Sequence, residues 1–198
     1  MNRAVFLDRD GTLIEHEPYL SSPERVRLAP GAAEALLRLR ALNFWPVVVT
    51  NQSGVARGYF SESAVKRVHR RINELLMAEG SKAEAFYYCP HGPADEGYEG
   101  CRCRKPAAGM ALQAARDLGL NLNRSWMIGD SACDIEFGLN SGCRTILVRT
   151  GRGRETELAI LSGLSVRLEE KSGTMFFVAD DLRAAALLVE QAEAGFSI

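Results

Sequence analysis

Two aspartates, Asp8 and Asp10, stand one residue apart at the end of the apolar stretch AVFLD. Carboxylates this close repel each other and lose hydration, and a bound divalent cation is the usual compensation in proteins. Because a carboxylate can attack phosphorus and form an aspartyl phosphate, Asp8 is the candidate nucleophile. Asp10 is the candidate acid and base, which protonates the leaving oxygen and then activates water for the second step.

Polar residues also follow two other stretches that have the apolar pattern of buried strands. Thr50 and Asn51 end the stretch WPVVVTN, and Asp130 ends SWMIGD. The strands of a doubly wound sheet bring their carboxyl ends to one crevice, where such folds bind ligands. An isolated aspartate after a strand is more often a turn or capping residue. The convergence of three strand ends nevertheless predicts an active site.

This crevice would contain the groups that phosphoryl transfer requires, since that reaction depends mainly on positioning and on neutralisation of charge. We expect Mg²⁺ to be held by Asp8, Asp130 and the backbone carbonyl of Asp10. Thr50 offers a hydroxyl and backbone amides to the phosphoryl oxygens. Lys105 offers a compact positive charge to the nucleophile and to the phosphate.

A second candidate metal site has the pattern C-x-H-x9-C-x-C, formed by Cys89, His91, Cys101 and Cys103. Sulfur and imidazole ligands in this number suit tetrahedral Zn²⁺, and four protein ligands leave no open position, so a structural site is expected. The loop of residues 89–105 has little apolar content, and a metal would fix its conformation. A disulfide between Cys101 and Cys103 is the alternative, which a reducing compartment and the strain of so small a ring disfavour.

The chain alternates strand-like and helix-like stretches, which is typical of a parallel sheet covered by helices. The predicted strands are residues 4–8, 45–51, 83–89, 125–130 and 143–151. The predicted helices are residues 31–42, 61–80, 109–120 and 134–142, and residues 175–195 are predicted to form a strand and a last helix. Residues 155–173 are ambiguous. We therefore expect an α/β fold, a Rossmann-like doubly wound parallel sheet with helices on both faces.

The composition is that of an ordinary globular protein. Of 198 residues, 46% are hydrophobic and 25% are charged, and the formal net charge is −1. This balance gives no support for binding to nucleic acid or to an anionic membrane. The sequence has neither the apolar region of a signal peptide nor a stretch apolar enough for a membrane span. We expect a single domain over residues 1–198 and a monomeric, cytoplasmic protein. Cys133 and Cys143 are expected to be small buried packing residues, and His69 a surface or packing residue.

The motifs DRDGT, VVVTNQSG, RKP and GDSACD, in this order, resemble the four motifs of the haloacid dehalogenase-like phosphatase superfamily. The resemblance covers about residues 4–153, and residues 154–198 have no specific match. It implies the Rossmann-like fold, Mg²⁺ as cofactor, and the roles described above for the aspartates, the threonine and the lysine. The chain leaves no obvious room for a separate cap domain, so a capless enzyme with a zinc-bound loop is expected.

Four longer stretches, FLDRDGTL, TNQSGVARGYF, YYCPHGP and CRCRKPAAGM, are similar to the zinc-containing D-glycero-D-manno-heptose 1,7-bisphosphate 7-phosphatases. This resemblance implies a phosphoric monoester hydrolase that removes the 7-phosphate during assembly of nucleotide-activated heptose for lipopolysaccharide or other surface glycans. The substrate contacts that it implies are His16, Tyr19, Asn51, Gln52, Ser53 and Arg104. The guanidinium of Arg104 suits a bidentate contact to the remote 1-phosphate. Ser131 departs from the family pattern, because a lysine is expected after Asp130, and a positive charge near that phosphate is missing.

Other functions remain open on the sequence. A histidinol-phosphate phosphatase, or another small phosphosugar phosphatase, would share the candidate catalytic residues, but the stretch NQSGVARGYF favours the heptose substrate. A nucleic-acid 3′-phosphatase has a similar second motif, but it needs a basic surface that this near-neutral chain lacks. A catalytically inactive phosphosugar-binding protein would have lost Asp8 or Asp10, and both are present.

Overall fold

The computed structural model describes residues 1–162 and 176–195 of the chain. The strands are β1 (Arg3–Leu7), β2 (Phe44–Asn51), β3 (Ala85–Cys89), β4 (Trp126–Gly129), β5 (Arg144–Val148) and β6 (Phe177–Ala179). The helices are α1 (Ala32–Ala41), α2 (Glu62–Ala78), α3 (Gly109–Leu118), α4 (Ala132–Ser141), α5 (Gly153–Leu161) and α6 (Leu182–Glu193). All strand pairs are parallel, in the order β3-β2-β1-β4-β5-β6. The predicted doubly wound α/β sheet is confirmed.

Both faces of the sheet are apolar, which explains why the strands are continuous apolar runs. In β1, Val5 and Leu7 join a core that is closed by α1, α2 and α6. Their neighbours Ala4 and Phe6 point to the opposite face, into a core that is closed by α3 and α4. Since β1 is buried on both faces and lies between β2 and β4, the segment that follows it is held in the interior of the protein.

The boundaries of several elements differ from the sequence prediction. Helix α4 begins at Ala132, two residues before the predicted start, because Ser131 caps its amino end. Strand β5 ends at Val148, and the polar residues after it form the turn into α5. Helix α2 begins at Glu62, one residue after the predicted start, because Ser61 caps it by accepting a hydrogen bond from the Ala64 amide. The ambiguous stretch begins with α5, and residues 163–173 lie outside the described residues.

The order of the strands reverses between β1 and β4, which are neighbours although β2 and β3 come between them in the chain. Such a switch point opens a crevice at the carboxyl ends of the strands. Within the described residues, the connections that follow β1 and β2 contain the helices α1 and α2 and, besides these, only the 3-10 helix Pro23–Arg25. A cap domain is therefore absent from these two connections, as predicted. Among the described helices, none has the length and apolar character needed to cross a membrane.

Candidate active site

Three buried carboxylates meet at the switch point. Asp8 directly follows β1, Asp130 directly follows β4, and Asp134 lies in the first turn of α4. One carboxylate oxygen from each lies within 4.8 Å of the others. Burial raises the pKa of Asp8 above its usual value, and the neighbouring carboxylates add to this effect against the opposing charge of Lys105. Burial, with Asp134 next, also raises the pKa of Asp130 to about 6. Oxygen ligands arranged in this way suit a hard divalent cation such as Mg²⁺.

Lys105 is the positive charge that faces these carboxylates. Its Nζ donates hydrogen bonds to Asp8 Oδ1, to Asp134 Oδ1 at 2.6 Å and to the carbonyl oxygen of Val49 at 2.9 Å. Burial alone would lower the pKa of Lys105, but the charges of Asp134 and Asp8 outweigh burial and raise it. Lys105 is therefore held as an ammonium with all three of its donors used, and the structure brings it to the predicted nucleophile.

Asp134 is a residue of the site that the sequence prediction missed. It is the last letter of the motif GDSACD, four residues after Asp130, and that spacing was the available signal. Its Oδ2 accepts hydrogen bonds from the Ser131 amide at 3.0 Å and from the Ser131 hydroxyl at 2.5 Å. Ser131 thus binds Asp134 and caps α4, so the hydroxyl that replaces the expected lysine has a structural partner.

Asp10 is held apart from the three carboxylates. Arg9 donates to it through Nε at 3.0 Å and through Nη2 at 2.9 Å, so the guanidinium binds both carboxylate oxygens. Gln52 Nε2 donates to Asp10 Oδ2 at 3.1 Å and to Thr50 Oγ1 at 2.9 Å. Among the described residues, the side chain of Asp10 is therefore not part of the candidate cation site, and the backbone carbonyl remains its predicted contact with Mg²⁺.

Asn51 fixes the end of the cysteine-rich loop. Its Nδ2 donates to the carbonyl oxygen of Lys105 at 3.0 Å, and its Oδ1 accepts from the Lys105 amide at 2.9 Å. The two hydrogen bonds engage the whole amide group of Asn51. The side chain that was predicted to contact substrate therefore already positions the backbone of Lys105.

The turn after β5 closes one side of the site, where the stretch RGRE of residues 152–155 begins. From the sequence, this stretch was compatible with phosphate contacts or with a solvated turn. The Arg152 amide donates to Asp130 Oδ2 at 2.8 Å, and Thr150 Oγ1 donates to the carbonyl oxygen of Gly11 at 2.7 Å. A Cβ atom on Gly11 would lie 2.3 Å from Asp130 Oδ2, and one on Gly151 would lie 2.1 Å from the same oxygen. Both positions have positive φ angles, so glycine is required on two grounds.

The catalytic crevice opens into an outer cavity of about 320 Å³, which five of the predicted substrate contacts line: His16, Tyr19, Asn51, Gln52 and Ser53. Arg152 and His16 line both the crevice and the outer cavity. Tyr19 is half exposed and packs edge to face against Tyr59, with the ring centroids 4.8 Å apart. Arg104 lines the crevice and donates to the carbonyl oxygen of His91 at 3.1 Å. These side chains are placed to contact a ligand that extends outward from Asp8.

The four predicted zinc ligands come together at the carboxyl end of β3. The sulfur atoms of Cys89, Cys101 and Cys103 lie 3.2–3.5 Å from one another. The Nδ1 atom of His91 lies 3.5 Å from the Cys89 sulfur and 3.3 Å from the Cys103 sulfur. A tetrahedral zinc with Zn–S bonds of about 2.3 Å needs ligand separations of roughly 3.8 Å. Small adjustments would thus accommodate zinc, and all three cysteines are free thiols without a disulfide.

Two of the three packing residues are where the sequence predicted. Cys143 is buried, and His69 is buried and stacks on Phe86 with the ring centroids 4.8 Å apart. Burial, with a smaller effect from the charge of Arg9, lowers the pKa of His69 to about 3. The prediction for Cys133 was wrong, because this residue is only partly buried and lines the catalytic crevice at the amino end of α4.

Comparisons with known proteins agree with this geometry. The family model "haloacid dehalogenase-like hydrolase" matches residues 19–142, and the model "HAD-hyrolase-like" matches residues 102–185. A D-glycero-beta-D-manno-heptose-1,7-bisphosphate 7-phosphatase from Pseudomonas aeruginosa is 37% identical over 94% of this chain and 97% of its own. A D-glycero-D-manno-heptose-1,7-bisphosphate 7-phosphatase from Thermosynechococcus vestitus is 40% identical over 92% of both chains.

The fold also matches a crystal structure of D,D-heptose 1,7-bisphosphate phosphatase from B. bronchiseptica in complex with magnesium and phosphate. The TM-score is 0.79 at 33% identity, and the match covers 96% of this chain and 99% of the other. The similarity therefore extends over nearly the whole of each molecule and includes the strand ends that form the crevice.

Proposed function

The chain belongs to the haloacid dehalogenase-like hydrolases, and we propose that it removes the 7-phosphate of D-glycero-D-manno-heptose 1,7-bisphosphate. The observation that carries this proposal is the buried contact of Lys105 with Asp8, inside a cluster of carboxylates at the switch point of the sheet. The full-length similarity to phosphatases of that name supports the choice of substrate. The product would supply the assembly of nucleotide-activated heptose for lipopolysaccharide.

In the first step, a carboxylate oxygen of Asp8 attacks the phosphorus of the 7-phosphate, and the bond from phosphorus to the sugar oxygen breaks. Asp10 gives its proton to that oxygen, and heptose 1-phosphate leaves. Lys105 offsets the negative charge that the nucleophile and the phosphoryl group share. Its burial strengthens this interaction, because solvent screening is weak in the interior.

In the second step, water attacks the phosphorus of the aspartyl phosphate, and the bond to the Asp8 oxygen breaks. Asp10, now a carboxylate, takes the proton from the water, so Asp8 and Asp10 both return to their starting forms. The hydroxyl of Thr50 is buried at the end of β2, where it is placed to donate to a phosphoryl oxygen. Inorganic phosphate is the second product.

The residues that would hold Mg²⁺ are Asp8, Asp130 and the backbone carbonyl of Asp10, with Asp134 adding negative charge. When bound, the cation supplies neutralisation of the carboxylates and of the phosphoryl oxygens. The donor set fits, since it is made of hard oxygen atoms, and the magnesium in the B. bronchiseptica structure agrees with this choice. Burial without a cation raises the pKa values of Asp8 and Asp130, so a cation would favour their charged forms.

The outer cavity would hold the sugar and the phosphate that is retained. Tyr19 and Ser53 offer a ring face and a hydroxyl, and both line this cavity. Two arginines line the cavity, and Arg9 is already paired with Asp10. Arg152 has no ion pair among the described residues, so it supplies the charge that Ser131 does not. Arg104 lines the crevice and is the second cation for the same phosphate.

The cysteine and histidine cluster would hold a structural zinc. Cys89, His91, Cys101 and Cys103 provide four ligands, which leaves no position for substrate. A reducing compartment keeps such thiols available for a metal, and we place the enzyme in the cytoplasm on that ground.

The proposed function is tested by phosphate release in Mg²⁺ from four compounds: the two C1 anomers of the heptose 1,7-bisphosphate, histidinol phosphate and a sugar monophosphate. We expect kcat/KM to be far higher for one heptose anomer, and Asp8→Asn to abolish turnover of every compound. A preference for histidinol phosphate would overturn the substrate and keep the chemistry. Turnover that survives Asp8→Asn would overturn the nucleophile.

A further inference from the structure

Arg9 is an arginine in the interior of the protein. It stands between Asp8 and Asp10, its exposed fraction is 1%, and it ranks among the largest fully buried side chains. A buried guanidinium is costly unless it is paired and hydrogen-bonded. Its Nη1 atom has no hydrogen-bond partner among the described residues, so the site bears part of that cost. The charge of Arg9 has no role in the reaction steps described above.

The only ion pair of Arg9 in the described chain is with Asp10. Nε and Nη2 donate to the two different oxygens of this carboxylate, at 3.0 and 2.9 Å. Gln52, which is 5% exposed, adds a third donor at 3.1 Å. The planar fork of a guanidinium fixes the orientation of a carboxylate as well as its position, which a single donor does not.

We propose that Arg9 is a positioning residue that, with Gln52, holds the Asp10 carboxylate in the orientation needed for proton transfer. This inference rests on the proposed function, because it assigns Asp10 the proton transfers of both steps. An acid or base must lie within hydrogen-bond reach of its proton, and small displacements are expensive. None of the three buried carboxylates or Lys105 bonds to Asp10, so Arg9 and Gln52 are the side chains that set its direction.

The two steps respond differently to the leaving group. A sugar alkoxide needs a proton as it leaves, whereas 4-nitrophenolate is stable enough to leave without one. Displacement of Asp10 therefore slows formation of the aspartyl phosphate from a sugar phosphate but not from 4-nitrophenyl phosphate. Hydrolysis of the aspartyl phosphate needs Asp10 as a base whatever the substrate was. The intermediate should then accumulate on Asp8 when the aryl substrate is used.

The experiment is rapid-quench kinetics of Arg9→Met with 4-nitrophenyl phosphate in Mg²⁺. We expect a burst of nitrophenolate close to one equivalent per enzyme, then a steady rate about 10–100-fold below that of the native protein. This loss is smaller than that for removal of a general acid–base group, because Asp10 itself is retained. Arg9→Lys should give an intermediate rate, because an ammonium replaces one arm of the fork. Gln52→Leu should give a smaller burst, since two of the three donors remain.

Two controls separate the possible failures. Asp10→Asn must show the burst; its absence overturns the acid–base assignment, and with it the mechanism under the proposed function. If Asp10→Asn shows the burst and all three positioning variants lack it, the role of Arg9 is refuted. A loss of kcat/KM that comes from KM, equally for aryl and sugar phosphates, would instead show that Arg9 binds substrate and would also refute the proposal.

The matched control is Arg70→Met, which removes an exposed arginine of α2 and should leave the time course unchanged. If Arg9→Met does not fold, as judged by circular dichroism, Arg9→Lys and Gln52→Leu decide the result. Both variants keep some of the donors to Asp10, and a distinct time course is expected for each.

Discussion

Lys105 should contribute as much to stability as to turnover. Its side chain is 3% exposed and pairs with Asp8 and Asp134, whose side chains are 11% and 2% exposed. Lys105→Met keeps the length of the side chain but leaves two neighbouring carboxylates without their cation. Removal of one partner from a buried ion pair costs about 3–5 kcal/mol. For a chain of 198 residues, this corresponds to a decrease of roughly 6–20 °C in Tm.

The assay is denaturant unfolding of Lys105→Met and the native protein, once in buffer without Mg²⁺ and once with excess Mg²⁺. The full loss is expected without Mg²⁺, and a smaller one with it, because the cation compensates the same carboxylates. Lys66→Met is the matched control: this lysine is exposed on α2, and its loss should change stability by less than about 0.5 kcal/mol. Turnover of Lys105→Met should fall at least about 100-fold even in excess Mg²⁺.

A double-mutant cycle makes the reasoning specific. Asp8→Asn removes one of the uncompensated carboxylates, so the variant with both substitutions should be more stable than Lys105→Met alone by about 1–3 kcal/mol. The reasoning is refuted if Lys105→Met is as stable as Lys66→Met in the absence of Mg²⁺, or if Asp8→Asn gives no recovery. Either result would mean that Lys105 does not compensate the negative charge of the buried carboxylates.

Three other predictions address the zinc site, a buried histidine and the retained phosphate. Removal of zinc by a chelator should increase hydrogen exchange in residues 89–105 and lower activity while the sheet stays protected; exchange throughout the sheet would contradict a local role. His69 has a pKa of about 3 in the folded protein and about 6.5 unfolded, so its folded form loses stability as the pH falls below 6.5, by about 2 kcal/mol at pH 5. Between pH 7 and pH 5, the free energy of unfolding of His69→Leu should therefore fall by about 2 kcal/mol less than that of the native protein. Arg152→Gln should raise KM for the heptose bisphosphate about 10-fold or more and leave KM for a sugar monophosphate unchanged. The matched control Arg154→Gln, at an exposed arginine, should alter neither KM.

The fold could be predicted because its signals are local and repeated. The continuous apolar runs that end at Asp8, Asn51 and Asp130 indicated buried parallel strands, and the order of the elements indicated crossover helices. The start of α4 was missed although a signal was present. Ser131 followed by an acid three residues later is a capping box, and Asp134 was not used in that way.

Parts of the site could not be predicted because they depend on distance in space. The turn at Arg152 reaches Asp130 from 22 residues away in the sequence. The spacing of Asp134 after Asp130 was a signal in the sequence, but its hydrogen bond with Lys105, 29 residues away, was not. Arg9 alternates with two aspartates, and no periodicity tells whether a charge there faces solvent or the interior. Each of these residues acts through a partner on another element, and only the three-dimensional contacts identify that partner.

The position of Lys105 gives a physical reason for a structural metal in a phosphatase of this kind. The loop of residues 89–105 starts at the end of β3, and Lys105 is its last residue. Asn51 holds the backbone of Lys105 at one end, and Arg104 bonds the carbonyl oxygen of His91 across the loop. Without a metal, ordering the rest of the loop would cost conformational entropy whenever Lys105 enters the carboxylate cluster. A zinc bound to four loop residues would keep the loop ordered before Lys105 enters the cluster. Loss of a zinc ligand should therefore lower kcat, because Lys105 is less well positioned, and should have little effect on the stability of the sheet.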